Sequence, residues 1–312
     1  MRFKINVECG DNLLFFSIRF GINFLLFFAN ILFFIILFKY KVSSRNGTSL
    51  IRCLSAVDVL LNFVYFTKYF RENEKFPSTN LFYPIFYCYV LHYSTIYWIL
   101  NTWDIHLMIL ISFDRFVCIV FPFYYKKLTK RVTVVLIIAS FIISAFVGSF
   151  FTTSDIKMEK SHKDNNSNAE LYSCKTVRSK ESSWFYLCFQ CLIPICCFLT
   201  FNVISSRILL KNSRTKIMSF GNEKYLKRMV LFYRFSIATF ISTFLYTFII
   251  LFDLLSYSLI LFSVIKSNYD CVIYFLNFIF LFFTNLNPFI HFVLFKKVRE
   301  YCFNLIFCKT LM

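Results

Sequence analysis

Apolar residues run along this chain in long blocks broken by short polar segments. Seven blocks, at 14–38, 50–69, 84–116, 132–151, 184–210, 229–256 and 271–295, are each long enough for a helix to cross a bilayer, which takes roughly 20 mostly apolar residues. The second block is the most polar, interrupted by Asp58 and Asn62, and the sixth runs on into an apolar stretch at 257–265. The pattern predicts an all-α membrane protein, a seven-transmembrane helix bundle forming one domain over 1–312. No internal repeat of the transporter kind divides it.

Charge gives the bundle a direction. The chain carries 34 Lys and Arg against 16 Asp and Glu, a net +18. With the N-terminus outside, the inner segments hold 21 bases and three acids, and the outer segments 13 bases and ten acids. Asp58, Asp104 and Asp253 fall within the spans. Such a bias is the positive-inside signature. It predicts an extracellular N-terminus (1–13), a second extracellular loop at 152–183, a third cytoplasmic loop at 211–228 and a cytoplasmic tail at 296–312. No small-residue cleavage site follows the first block, which is therefore expected to be a helix rather than a removed signal peptide.

Composition removes the soluble alternatives. Only 16% of residues are charged and 46 are Phe, whereas a soluble domain keeps about 25% charged residues to wet its surface. Disordered, collagen-like and disulfide-scaffold classes are excluded. The basic loops suit anionic membrane lipids or the acidic surface of a protein partner; no nucleic acid is expected. Enzyme readings lack parts: His92, His106, His162 and His291 are scattered, and there is no metal-binding pair, phosphate-cradling Gly loop or Ser nucleophile motif. No catalysis, cofactor or metal cluster is predicted.

The most informative string closes the third block: Asp114-Arg115-Phe116-Val117-Cys118-Ile119-Val120-Phe121-Pro122-Phe123-Tyr124-Tyr125. A neighbouring acid and base at a helix end can neutralise each other within a bundle and separate when a partner binds; an ordinary juxtamembrane charge pair is the simpler alternative. Pro122, which has no N–H, ends the helix. The whole string resembles the Asp-Arg-Tyr motif and its continuation in rhodopsin-like (class A) G-protein-coupled receptors, with Phe116 for Tyr as in nematode serpentine chemoreceptors of the V and X classes. Asn30, the Leu54-Ser55-Ala56-Val57-Asp58 segment, Pro194, and Asn287-Pro288-Phe289-Ile290-His291 match that family's signatures in the first, second, fifth and seventh helices. The sixth block has neither the Trp nor the Pro of the family's Cys-Trp-x-Pro, the fourth lacks its Trp, and Asn202 stands where a Tyr is expected.

The resemblance implies a chemosensory receptor that binds a small extracellular ligand and activates a heterotrimeric G protein. It would do so in the plasma membrane, with a sensory cilium as the finer address. Coupling and switching would fall to Asp114, Arg115, Phe116, Pro122, Tyr125, Asn287, Pro288 and His291. A polar cluster is implied at Asn30, Asp58, Asp104 and Asn287, since Asp104 lies three helical turns from Arg115 and would bring a second carboxylate beside Asp58. Two close carboxylates call for a shared proton or a cation such as sodium at Asp58; a neutral, hydrogen-bonded Asp that only shapes packing is the alternative. Helical counting puts Tyr93, Ile96, Tyr97, Leu100, Phe248, Phe252 and Phe275 at the ligand pocket.

Cys88 and Cys174 match the family's disulfide, and Cys9 and Cys271 would be left for a second. Asn165 heads a glycosylation sequon on the outer side. A short amphipathic helix is expected after the seventh span, with Cys302 and Cys308 either palmitoylated or free. A membrane channel or transporter, or a non-signalling scaffold, remain the rival functions.

Overall fold

In a computed structural model, the structure describes residues 13–39, 45–68, 76–77, 86, 95–161, 171–176, 184–185, 187–216, 223–261, 282, 286–294 and 299–300. The helices are α1 (Leu13–Lys39), α2 (Arg45–Lys68), α3 (Thr95–Val120), α4 (Lys130–Asp155), α5 (Ile193–Lys216), α6 (Glu223–Leu261) and α7 (Asn287–Leu294). A six-residue linker helix, Pro122–Lys127, joins α3 to α4, and a π-helical turn, Leu187–Leu192, leads into α5. Four stretches within these helices, 20–38, 46–64, 130–150 and 187–208, are long and apolar enough to cross a membrane.

Packing is organised around α3, which touches α2, α4, α5 and α6. The ring is completed by α1 against α2 and α7, α7 against α6, and α6 against α5. The interior mixes an apolar core with many polar side chains, and large apolar ones face out. Asn30, Ser55, Asp58, Asn62, Thr102, Asp104, Ser112, Ser144, Gln190, Thr243 and Asn287 are all buried, while Phe146 and Phe244 are 68% and 63% exposed. Where the surrounding medium is hydrocarbon, polar side chains gain by facing one another and apolar ones lose nothing by facing out.

Two loops are smaller than the hydropathy pattern suggests. The third inner loop, expected over 211–228, narrows to 217–222, because α5 continues to Lys216 and α6 begins at Glu223. Lys, Arg and Glu are good helix formers, and so they extend a span beyond its apolar part. No Pro interrupts α6, and its 39 residues form one continuous helix of about 58 Å at the usual rise, well beyond a hydrocarbon core of about 30 Å. The expected loop 152–183 contains the last turn of α4 and a hairpin of β2 (Ile156–Ser161) and β3 (Leu171–Thr176), with β1 (Phe76–Pro77) added on the far side of β3. This small antiparallel sheet is an addition to the all-α expectation. Its physical basis is legible in Ile156-Lys157-Met158-Glu159, where apolar and charged residues alternate with the period of a strand.

The α3–α4 contact shows how close the helices come. Ser140, Ser144 and Gly148, four residues apart, lie on one face of α4. A Cβ at Gly148 would sit 2.7 Å from the backbone nitrogen of Ile99, so only Gly allows this approach. Trp103 Nε1 donates to Ser140 Oγ (3.1 Å), and Ser140 Oγ donates to the Ile137 carbonyl (2.8 Å). Ser144 Oγ lies within hydrogen-bonding distance of the Ser140 carbonyl (2.7 Å) and of His106 Nδ1 (2.7 Å). At the neighbouring contact, Arg52 of α2 caps α1, donating to the carbonyls of Leu37 (2.8 Å) and Phe38 (3.3 Å).

Candidate functional site

At one end of α3, Arg115 is buried against its neighbour. Its guanidinium forms an ion pair with Asp114, with Nε at 3.0 Å from Oδ2. Tyr125 of the linker helix closes a triangle: its hydroxyl donates to Asp114 Oδ1 (3.0 Å) and accepts from Arg115 (3.3 Å). Pro122 stands at the first position of that helix, where a missing N–H costs nothing, and the turn it starts carries Tyr125 back to the charge pair. Phe116, in the place of a Tyr, packs on Phe113, Phe121 and Phe201, so it binds α3 to α5 through rings.

The second polar centre lies deeper. Asp58 is 2% and Asp104 0% exposed. The two carboxyl groups are within hydrogen-bonding reach of each other, and Asn287 reaches Asp58. The Tyr246 hydroxyl of α6 bonds to Asp104 and also lies within reach of Asn287. Four helices, α2, α3, α6 and α7, thus meet in one cluster. Asn30 is fully buried on α1, where its amide bonds back to the Leu26 carbonyl (3.0 Å).

Between α5 and its neighbours the ties are also polar. Thr102 gives its proton to the Trp98 carbonyl (2.7 Å) and accepts from the Gln190 amide on the π turn. That order of donors leaves Gln190 Oε1 as a buried acceptor with no partner among the described residues. The π turn directly precedes Pro194, which cannot donate to the helix ladder, and such turns absorb that break. Further along, Asn202 Nδ2 donates to the Phe198 carbonyl (2.9 Å) and to Thr243 Oγ1 of α6 (2.9 Å).

A family model described as 7 transmembrane receptor (rhodopsin family) matches residues 29–291. The chain belongs to this family. Comparison with curated proteins returns no match. The receptor is therefore a multi-pass membrane protein of helical build.

Of the pocket positions found by helical counting, Tyr97 and Leu100 are buried on α3, but Ile96 is exposed. Phe248 and Phe252 are 58% and 42% exposed, on the outer side of α6. That removes both from the interior: the buried face of α6 is Thr239, Ser242, Thr243, Tyr246, Thr247, Ile249 and Ile250. Without a Pro or Trp to fix its frame, α6 offers counting no anchor. Tyr93, Phe275, Cys9, Cys88, Cys271, Cys302, Cys308 and Asn165 lie outside the described residues, as do the side chains of Cys174 and His291. Pro288 is buried beside Asn287 in α7. Of the expected terminal amphipathic helix only Arg299 and Glu300 are described, and Arg299 donates to the Val293 carbonyl (2.7 Å). Cys53, Cys118, Cys188, Cys191, Cys196 and Cys197 are free thiols. Tyr246 and Gln190 are the residues that sequence reasoning missed.

Proposed function

We propose that this receptor is a chemosensory G-protein-coupled receptor of the plasma membrane. Its N-terminus lies outside, and it binds a small extracellular ligand and activates a heterotrimeric G protein. Phe116 in place of Tyr, the absent sixth-helix Trp and Pro, and the Phe-rich spans favour the nematode serpentine type, V or X class. The observation that carries the coupling assignment is Arg115, buried at the basic end of the bundle and held by Asp114 and Tyr125. A buried cation with a detachable partner is a latch: breaking the triangle frees a guanidinium for the α-subunit of the G protein.

The ligand enters between the outer halves of α3, α5, α6 and the seventh span, where Tyr97, Leu100, Asn101, Thr102 and Gln190 are buried. Binding there favours one of two bundle packings. With this orientation Asn165 falls to glycosylation on the outer side, a disulfide at Cys88–Cys174 ties down the outer face, and Cys9 and Cys271 are left for a second. The carboxylate oxygens of Asp58 and Asp104 fit a hard cation of the sodium type; these residues would hold it, and it would neutralise the carboxyl pair. Membrane lipids meet the basic inner segments.

Nucleotide exchange on a panel of G proteins is the test. Wild type is expected to stimulate exchange and Arg115→Ala to lose at least about tenfold of that stimulation, the loss of one charge-assisted contact. If neither form ever couples, the signalling assignment is wrong; currents persisting without any G protein would favour a channel instead.

A further inference from the structure

The linker between α3 and α4 turns two unlike kinds of side chain outward. Every residue from Phe121 to Val132 is exposed except Tyr125, which is half-buried against the Asp114–Arg115 pair. In the helix Pro122–Lys127, Phe123 and Lys127 share the face opposite Tyr125. Phe123 is 79% and Tyr124 70% exposed. Lys126, Lys127, Lys130 and Arg131 follow, all exposed. Lys126 Nζ lies 6.0 Å from the centre of the Phe123 ring, and among the described residues no carboxylate pairs with any of the four cations. No Asp or Glu occurs from Arg115 to Ser154, and Asp114, the acid just before them, is taken by Arg115.

Water does not suit bare aromatic rings, and hydrocarbon does not suit four cations. The boundary between the two suits both, because rings sink among the headgroups while Lys and Arg stems reach out to the phosphates. The patch runs straight into the outer face of α4, where Val132, Val135, Ile138 and Ile142 are exposed in a stretch, 130–150, that is able to cross the membrane. Lipid therefore meets the surface next to it. From Lys126 to Arg131 the chain spans at most about 18 Å, so the four flexible side chains can converge on one headgroup. A single phosphodiester would leave most of that charge unmatched.

We propose that the segment 121–131 is a lipid-headgroup site of this receptor, selective for a phospholipid whose headgroup carries more than one phosphate, a phosphorylated inositol lipid. Lys126, Lys127, Lys130 and Arg131 hold the phosphates, while Phe123 and Tyr124 bury their rings beside the acyl chains. The site needs only the membrane placement of the chain and does not depend on coupling to a G protein.

The test titrates the full chain in phosphatidylcholine-containing micelles with phosphatidylinositol bisphosphate and counts bound lipid by native mass spectrometry. Lys127→Gln with Lys130→Gln is expected to weaken uptake about thirtyfold, roughly fivefold for each charge removed at a membrane surface. Arg207→Gln with Arg234→Gln removes the same charge from exposed positions on α5 and α6 and should change uptake less than about twofold. Phe123→Ser should weaken uptake of the lipid but not of soluble inositol trisphosphate, which lacks acyl chains. Equal losses from the two charge pairs would reduce the site to diffuse attraction and overturn it. So would phosphatidylserine, at matched total charge, binding as well as the bisphosphate, or soluble trisphosphate binding as tightly as the lipid. Lipid uptake untouched by Lys127→Gln with Lys130→Gln, while nucleotide exchange falls, would give the patch to a protein partner instead. Selective uptake by a chain that never stimulates exchange upholds the site and sinks the signalling assignment alone.

Discussion

The two flanks of α3 are built differently. Towards α4 the helices touch backbone to backbone at Gly148, and Ser140 and Ser144 bond to Trp103 and His106. Towards α6 the helices meet through Tyr246, a long side chain whose hydroxyl donates to Asp104. The first contact is made by backbone and short hydroxyls, the second by one extended ring. Close packing of small residues makes a fixed frame, whereas a bulky polar side chain between helices leaves room for a second state.

That contrast is most severely tested at Gly148. Gly148→Leu puts a side chain where even a Cβ lies 2.7 Å from the Ile99 backbone. Separating the two helices would disrupt the frame, and little or no receptor should reach the cell surface by flow cytometry; normal surface levels would mean the α3–α4 contact is not rigid. Ser140→Ala is milder. It leaves the Trp103 indole N–H unpaired in a part-buried site, costing about 1 kcal/mol. The expected result is a lower temperature of half-inactivation in detergent with basal exchange unchanged. Smallest of all is Thr243→Val, because Asn202 keeps its bond to Phe198. A loss of about 0.6 kcal/mol, typical of one interhelical bond in a membrane protein, should barely move that temperature but should loosen α5 from α6, seen as a broader label-distance distribution between them. If Ser140→Ala raised exchange and Thr243→Val shifted only stability, frame and moving part would have been assigned the wrong way round.

Much of this was legible in the letters. The spans follow from apolar length, and the meeting of Asp58, Asp104 and Asn287 follows from counting three turns from Arg115, since α3 has that motif as an anchor. The Tyr125 hydrogen bonds could be anticipated only as far as the motif string places Tyr125 on the turn after Pro122. For α6 the same method put Phe248 and Phe252 inside, and they are outside. In hydrocarbon an aromatic ring carries no information about which way it faces. Ser242, Thr243, Tyr246 and Thr247 do, and a search for the polar stripe at helical spacing would have found the inner face and Tyr246 with it. The hairpin of the outer loop was missed for a plainer reason: its alternation spans only six residues per strand.

The exposed rim of Phe, Leu, Ile and Val on α4 and α6 has a consequence for how such a chain changes over time. Lipid asks of those positions only that they be oily, so Phe146, Phe244 or Phe248 can become Leu or Ile without disturbing a neighbour. Most letters of the spans are free to wander in this way, while a few polar contacts inside are not. Two descendants of one receptor can therefore come to share hardly any aligned residues and still be the same machine, recognisable by a dozen polar positions and the distances between them along the chain.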